Sequence, residues 1–223
     1  MPKLPKIPNP PTPRQPKAWD SPPRPDEGDA GEEAVWAAVG RALSKWEDLE
    51  HRLSMIFGIL VAPDADALPA QRAYGSVLTF RGRKEMIDAA AGAVFFSKPD
   101  PDLAKALLSL MKEIGNFAAR RNEVAHGSVA TYFGPVGTKG GMPPALLRRP
   151  DKATFVLRPP EYATNKTALE PGRFLMEQAY HAPIYAYSSV EIGVFERHFV
   201  RLTQEAHDLY IRLYRHQRTP DKP

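Results

Sequence analysis

The chain contains no cysteine. That absence excludes disulfides, thiolate metal sites and a cysteine nucleophile, and it suits a reducing compartment. Long apolar runs are missing too. The longest, Met55 to Ala62, is interrupted by a glycine and is far too short to cross a bilayer. The N-terminus has no apolar core of the signal-peptide kind. Together these absences lead us to expect a soluble, cytoplasmic protein with no membrane association. Chemical signatures are equally scarce. The sequence has no His-Glu-x-x-His zinc motif, no Gly-x-Ser-x-Gly elbow, and no phosphate-loop or dinucleotide fingerprint. A di-iron bundle would need Glu-x-x-His on two helices, which the chain does not supply. His51, His181, His198, His207 and His216 are scattered, as surface or packing residues are. No metal and no cofactor is expected.

What is abundant is proline, with 24 residues in a chain of 223. Ten of them fall before residue 30, a segment that cannot form helix or central strand. Residues 1–30 are expected to be a disordered tail, and residues 217–223 a disordered C-terminus. P-x-x-P spacings within the tail would suit an SH3-type ligand, but a solubilising tail or loose tether fits the composition better.

From Glu32 the pattern changes. Trp36, Val39, Leu43, Trp46, Leu49, Leu53, Ile56 and Leu60 recur at three- and four-residue steps, the stripe of one long amphipathic helix ended by Pro63. A second helix is expected from Pro69, with Tyr74, Val77, Phe80, Ile87, Ala91 and Val94 inward, although Gly75 and Gly82 weaken its first half. Asp100 and Pro101 are a cap and first residue for a third helix, whose stripe runs from Leu103 to Arg121 and Val124. Gly127 suits its C-terminus. Residues 128–187 lack a sustained period and contain two strand-like runs, Val129 to Phe133 and Thr154 to Leu157. Ser188-x-x-Glu191 then reads as a capping box for a last helix. The expected fold is all-α: a four-helix up-down bundle over residues 31–216, with a loop or short β-hairpin insertion between helices 3 and 4.

Net charge is +4, too small for strong sequence-independent nucleic-acid binding unless it is concentrated. Between Lys139 and Arg173 seven basic residues stand against three acidic ones, with Tyr132, Phe133, Phe155 and Tyr162 nearby. A platform combining Arg120, Arg148, Arg149 and Arg158 with the ring of Tyr132 could attract phosphate and stack bases. The competing reading is a solvated loop whose aromatics belong to the core.

The richest chemistry is Arg121-Asn122-Glu123-Val124-Ala125-His126-Gly127, closing the third helix. Within two turns it offers an obligate cation, an amide and a side chain that titrates near neutrality. Asn122 and His126 are four apart and share a helix face, while Arg121 lies about 100° round. That set suits phosphodiester cleavage without a metal. His126 would take or return the proton of an RNA 2′-hydroxyl, and Arg121 would hold the phosphate. A single His is poorly suited to act as both acid and base, so two copies would meet in a homodimer. The structural alternative pairs Arg121 with an inward carboxylate, Glu50 or Asp48, and leaves His126 capping the helix.

Four helices with Arg-Asn-x-x-x-His-Gly closing the third resemble the HEPN superfamily (higher eukaryote and prokaryote nucleotide-binding domains). Its ribonuclease members carry an Arg-x4–6-His motif, often with a polar residue after the Arg. The resemblance implies Arg121 and His126 as the catalytic pair, Asn122 as the polar residue, a dimer with a composite cleft, and a role in defence or stress systems, with a possible protein regulator. Members paired with a small nucleotidyltransferase antitoxin carry a Tyr two residues after the His, where this chain has Ser128. Arg201 to His207 satisfies a loose form of the spacing, with neither the polar residue nor the Gly. The competing function is a catalytically inactive dimeric bundle that binds nucleotide, RNA or protein.

Overall fold

In a computed structural model the described residues are 15–22, 25–63, 65–132, 154–160 and 185–219. They form helices α1 (Glu32–Val61), α2 (Leu68–Ser76), α3 (Phe80–Ser97), α4 (Pro101–His126) and α5 (Ser189–Arg218), with strands β1 (Ser128–Tyr132) and β2 (Thr154–Arg158) between α4 and α5. No described helix is long and apolar enough to cross a membrane.

The local signals explain most of the boundaries. Asp100 accepts a hydrogen bond from the Leu103 amide, with Pro101 opening α4. Ser188 and Glu191 complete a reciprocal capping box at the start of α5. The expected second helix is, however, two. Residues 77–79 leave the helical path, and the Thr79 hydroxyl accepts from the Gly82 amide to start α3 anew. A Cβ on Gly82 would sit 2.7 Å from the Val77 side chain, so this glycine permits the tight reversal rather than merely weakening a helix.

That break sets the topology. α2 runs back along α1, with Ala67 beside Gly58 and the Tyr74 hydroxyl on Glu50. α3 then runs parallel to α1, from Phe80 against Trp46 to Lys98 beside Thr219. α4 returns, bringing Asp100 near His216, Glu113 to Arg201 and Arg120 to Tyr187. Direction alternates, but over five helices rather than four, so first and last are parallel. Asp29 meets Ser189 at one end, Arg41 meets Glu196 further on, and Arg218 meets the Pro63 carbonyl at the other.

Trp46 sits at the centre, 1 % exposed, with Phe80 and Phe199 edge-on at 5.6 and 5.1 Å. Its indole N–H donates to Glu50, a buried carboxylate that also accepts from Tyr74 and pairs with Arg83 at 3.2 Å. One carboxylate therefore ties α1, α2 and α3 together with its charge compensated. Burial drives the Tyr74 hydroxyl well above its ordinary range, and the charge and hydrogen bond of Glu50 add to it.

β1 and β2 pair antiparallel, Ser128 opposite Arg158 and Tyr132 opposite Thr154. The other edge of β2 is closed by Asp29 opposite Phe155 and Tyr187 opposite Leu157. Part of the Pro-rich segment is thus built into the fold. Trp19 packs edge-on against Phe117, Ser21 bonds Arg120, and the Asp29 carboxylate accepts from the Ser189 amide at the start of α5. A Cβ on Gly28 would lie 2.6 Å from the Phe155 carbonyl oxygen, so only glycine lets the segment approach β2 this closely.

Candidate functional site

α4 ends where the hairpin begins, and this junction carries the Arg121–His126 segment. The two adjacent arginines have opposite fates. Arg120, expected at the surface as a phosphate contact, is 8 % exposed. Its guanidinium pairs with Glu123 at 2.8 Å, donates to the Tyr187 and Ser21 hydroxyls, and lies 5.8 Å from the centre of the Tyr185 ring. Its Nε, like that of Arg121, is buried without a hydrogen-bond partner among the described residues. The Glu123 carboxylate also accepts from Tyr185 at 2.7 Å and from Tyr187. Burial, reinforced by Glu123, pushes the Tyr185 hydroxyl up to about 12. Burial raises Tyr187 further, and Glu123 adds to this while the Arg120 charge opposes it.

Arg121, which the helical stripe placed near the core, keeps 31 % of its side chain exposed. The reason is rotation of the buried face: the last turns of α4 are covered by residues 185–187 and by the N-terminal segment, on the side of Arg120 and Glu123. The carboxylate partner of Arg121 is Glu47, at 3.5 Å and itself 64 % exposed, and not Glu50 or Asp48. Its other bond is to the Asn122 side-chain oxygen at 3.2 Å. Asn122 and His126 are both exposed, and His126 has no hydrogen bond or ion pair among the described residues.

α3 begins only at the level of Trp46 and of Gly115, next to which Phe80 lies. On that side the first turns of α1 and the last turns of α4 have no α3 beside them. Arg121 reaches Glu47 across this uncovered stretch. Two surface cavities lie elsewhere: one between α4 and α5 lined by Glu113, Glu205, Asp208 and Arg212, the other by Met55, Ile59, Tyr210 and Tyr214 near the opposite end. Arg121 lies on an exposed face of the described residues, beside the exposed Glu47 and Asn122.

The end of α4 has an unexpected steric requirement. Gly127 has φ −69° and ψ 159°, not the left-handed conformation that usually calls for glycine after a helix. A Cβ there would lie 2.9 Å from the carbonyl oxygens of both Glu123 and Arg158 and 2.8 Å from Leu157. Gly127 is needed because β2 crosses against the helix end, directly beside His126.

Of the four remaining expected contacts, two fall within the described residues. Tyr132 is 6 % exposed and its hydroxyl donates to the Pro25 carbonyl, so its ring is no stacking platform. Arg158 is half-buried at the end of β2, opposite Ser128. Arg148 and Arg149, with most of the basic segment, lie outside the described residues. Glu123 stands three residues before His126, but its carboxylate is turned inward onto Arg120 and the two phenols. Among the described residues no group of three or more acidic or imidazole side chains could hold a metal. In the loose second match, Arg201 is engaged by both Glu113 and Glu205, and these two bonds raise its pKa against the opposing effect of burial. The Arg120–Glu123–Tyr185–Tyr187 cluster was not legible in the sequence, because its members lie up to 67 residues apart. No protein-family model, curated protein or solved structure matches the chain.

Proposed function

We propose that the chain is a HEPN-like, metal-independent endoribonuclease acting as a homodimer. His126 exchanges the proton of an RNA 2′-hydroxyl, Arg121 holds the scissile phosphate, and Asn122 orients it. The observation supporting this reading is the contrast at the end of α4. Arg120 is consumed by a buried carboxylate, whereas Arg121 has a long, exposed pairing and His126 is open to solvent. A guanidinium held that loosely can exchange Glu47 for a phosphate at little cost, since exposed pairs are worth under about 1 kcal/mol. A phosphate engages Arg through two parallel hydrogen bonds and is stabilised as charge develops on it.

The chemistry balances without a further reactant. The 2′-oxygen attacks its own phosphorus as the proton leaves to a base, and the 5′-oxygen departs with a proton from an acid. The products are a 2′,3′-cyclic phosphate and a 5′-hydroxyl. One imidazole cannot easily serve both steps at once, so a second copy supplies the other.

The test is cleavage of a labelled RNA pool in EDTA by the wild type, Arg121→Ala and His126→Ala. We expect cyclic-phosphate ends from the wild type and a loss of at least about 100-fold with His126→Ala, the scale of general acid–base catalysis. Equal cleavage by His126→Ala would remove the catalytic assignment. Binding without cleavage by every form would favour the non-catalytic module.

A further inference from the structure

We infer that the indole of Trp36 is the base-stacking surface of the proposed RNA site, taking a nucleobase of a single strand whose phosphate lies at Arg121. This rests on the ribonuclease-like reading and adds a binding residue that the Arg–Asn–His motif does not contain.

Trp36 belongs to the apolar periodicity of α1, where its spacing suits a core anchor or part of a dimer face. It is 51 % exposed. Of the three tryptophans, Trp46 is buried at the bundle centre and Trp19 is half-buried against Phe117. Trp36 alone offers solvent a large part of an indole.

Its placement is set by helix geometry. Trp36 and Glu47 are eleven residues apart, three turns plus about 20°, so they share one stripe of α1. Glu47 is the residue that reaches Arg121, so this stripe faces the edge of α4 that carries Arg121. α3 starts at Trp46 and leaves the stripe below it uncovered. Gly40 lies on the stripe between Trp36 and Glu47, and nothing lies within 4 Å of where its side chain would project. Among the described residues, nothing covers the wall from Arg121 to Trp36.

The separations also suit a strand. α1 and α4 run in opposite directions here, and Trp46 is level with Gly115 through Phe80. Trp36 lies about 15 Å below that level along α1 and His126 about 16 Å below it along α4, with Arg121 about 9 Å below it. Trp36 is then level with His126 and roughly 6 Å further along the bundle than Arg121. A short stretch of single strand with its phosphate at Arg121 spans that distance.

A nucleobase fits this surface better than a protein partner does. Single strands are held by cations that track the backbone together with aromatic faces that accept any base. A docked helix would want contiguous exposed apolar neighbours, whereas the exposed neighbours of Trp36 are Glu32, Glu33, Ala37 and Gly40, with Val39 buried and Leu43 half-buried against the core. An isolated ring among small and charged residues resembles a stacking platform more than the centre of an apolar patch.

The experiment uses the full chain and a labelled 2′-O-methyl RNA oligonucleotide, which binds without being cleaved. Affinity is read by fluorescence anisotropy for the wild type, Trp36→Ala and Trp36→Phe, with an abasic oligonucleotide of the same length as control. We expect Trp36→Ala to weaken binding about 10-fold, Trp36→Phe to restore most of it, and the abasic strand to bind the wild type and Trp36→Ala equally. Wild-type affinity in Trp36→Ala would overturn the inference while leaving the ribonuclease-like reading intact. Loss of RNA binding in the wild type itself would overturn both. Masses in solution are measured on the same samples. A Trp36→Ala protein that falls from dimer to monomer would assign the indole to an interface between copies and overturn the stacking role.

Discussion

Arg120 and Arg121 are adjacent, identical in type and close to the same helix end, yet their removal should have opposite consequences. Replacing Arg120 by Met keeps most of the aliphatic stem and deletes the guanidinium. Glu123, buried beside it, would retain two phenol donors but lose the one cation that pairs with it among the described residues. Breaking a buried pair by removing one partner costs about 3–5 kcal/mol, because the remaining charge stays desolvated. For a domain of this size each kcal/mol is worth roughly 2–4 °C, so the midpoint should fall on the order of 10 °C. The orphaned Nε of Arg120 argues for the lower part of the range, since deleting it also removes one uncompensated buried donor. Arg121→Met deletes a 3.5 Å pair with an exposed glutamate and should change stability by less than about 1 kcal/mol. The assay is denaturant and thermal unfolding followed by far-UV circular dichroism, with RNA cleavage measured on the same preparations. Arg120→Met should be unstable, and Arg121→Met stable but inactive. Equal stability of the two variants would refute the distinction between a fold-holding and a ligand-facing arginine.

Two further outcomes are expected. Gly127→Ala should cost about 1–3 kcal/mol, since its Cβ meets two carbonyl oxygens, whereas Gly40→Ala should gain about 0.5–1 kcal/mol, because its Cβ points into open space in mid-helix. Both are read as shifts in the urea midpoint, and a shift of the same sign in both would contradict the packing described at the end of α4. The buried phenols make the fold sensitive to alkali. With Tyr185 raised to about 12, and Tyr74 and Tyr187 raised too, the folded state keeps protons that the unfolded chain loses near pH 10. Their contribution is complete below about pH 10 and declines as pH rises from there towards 12, so urea midpoints should fall between about pH 9 and about pH 11. Phenolate absorbance should show these three of the eight tyrosines ionising only with unfolding, and a single transition of all eight near pH 10 in the folded protein would count against it.

The sequence was most informative where one or two residues decide the structure locally. Asp100 with Pro101, and Ser188 with Glu191, mark helix starts because a cap needs only a side chain and an amide three residues on. The alternating runs around Val129 and Val156 marked the two strands, because alternation is a property of each run by itself. Features that depend on what lies across the fold were hidden. The stripe of α4 pointed Arg121 inward, but residues 185–187 cover the opposite side and bury Arg120 instead. The Pro-rich composition of the first thirty residues masked Asp29, whose backbone pairs with Phe155 and whose carboxylate bonds Ser189. The reversal at residues 77–79 was signalled only by two glycines, and it changed the helix count and hence the relative direction of first and last.

That parallel pairing of α1 and α5 has a consequence for how the chain is made. The two helices share the largest part of the core, yet contacts such as Arg41 with Glu196 join residues 155 positions apart. During synthesis α1 emerges with Val35, Ala42, Leu49 and Leu53 uncovered, and Phe195, Phe199 and Leu202 that bury them arrive only after every other element. α2 and α3 can shelter the later half of α1 in the meantime, through Glu50, Tyr74 and Arg83. The earlier half, below the start of α3, waits longest for its partner. The same shortness of α3 that leaves Arg121 open to a ligand leaves the nascent chain open to association with its neighbours.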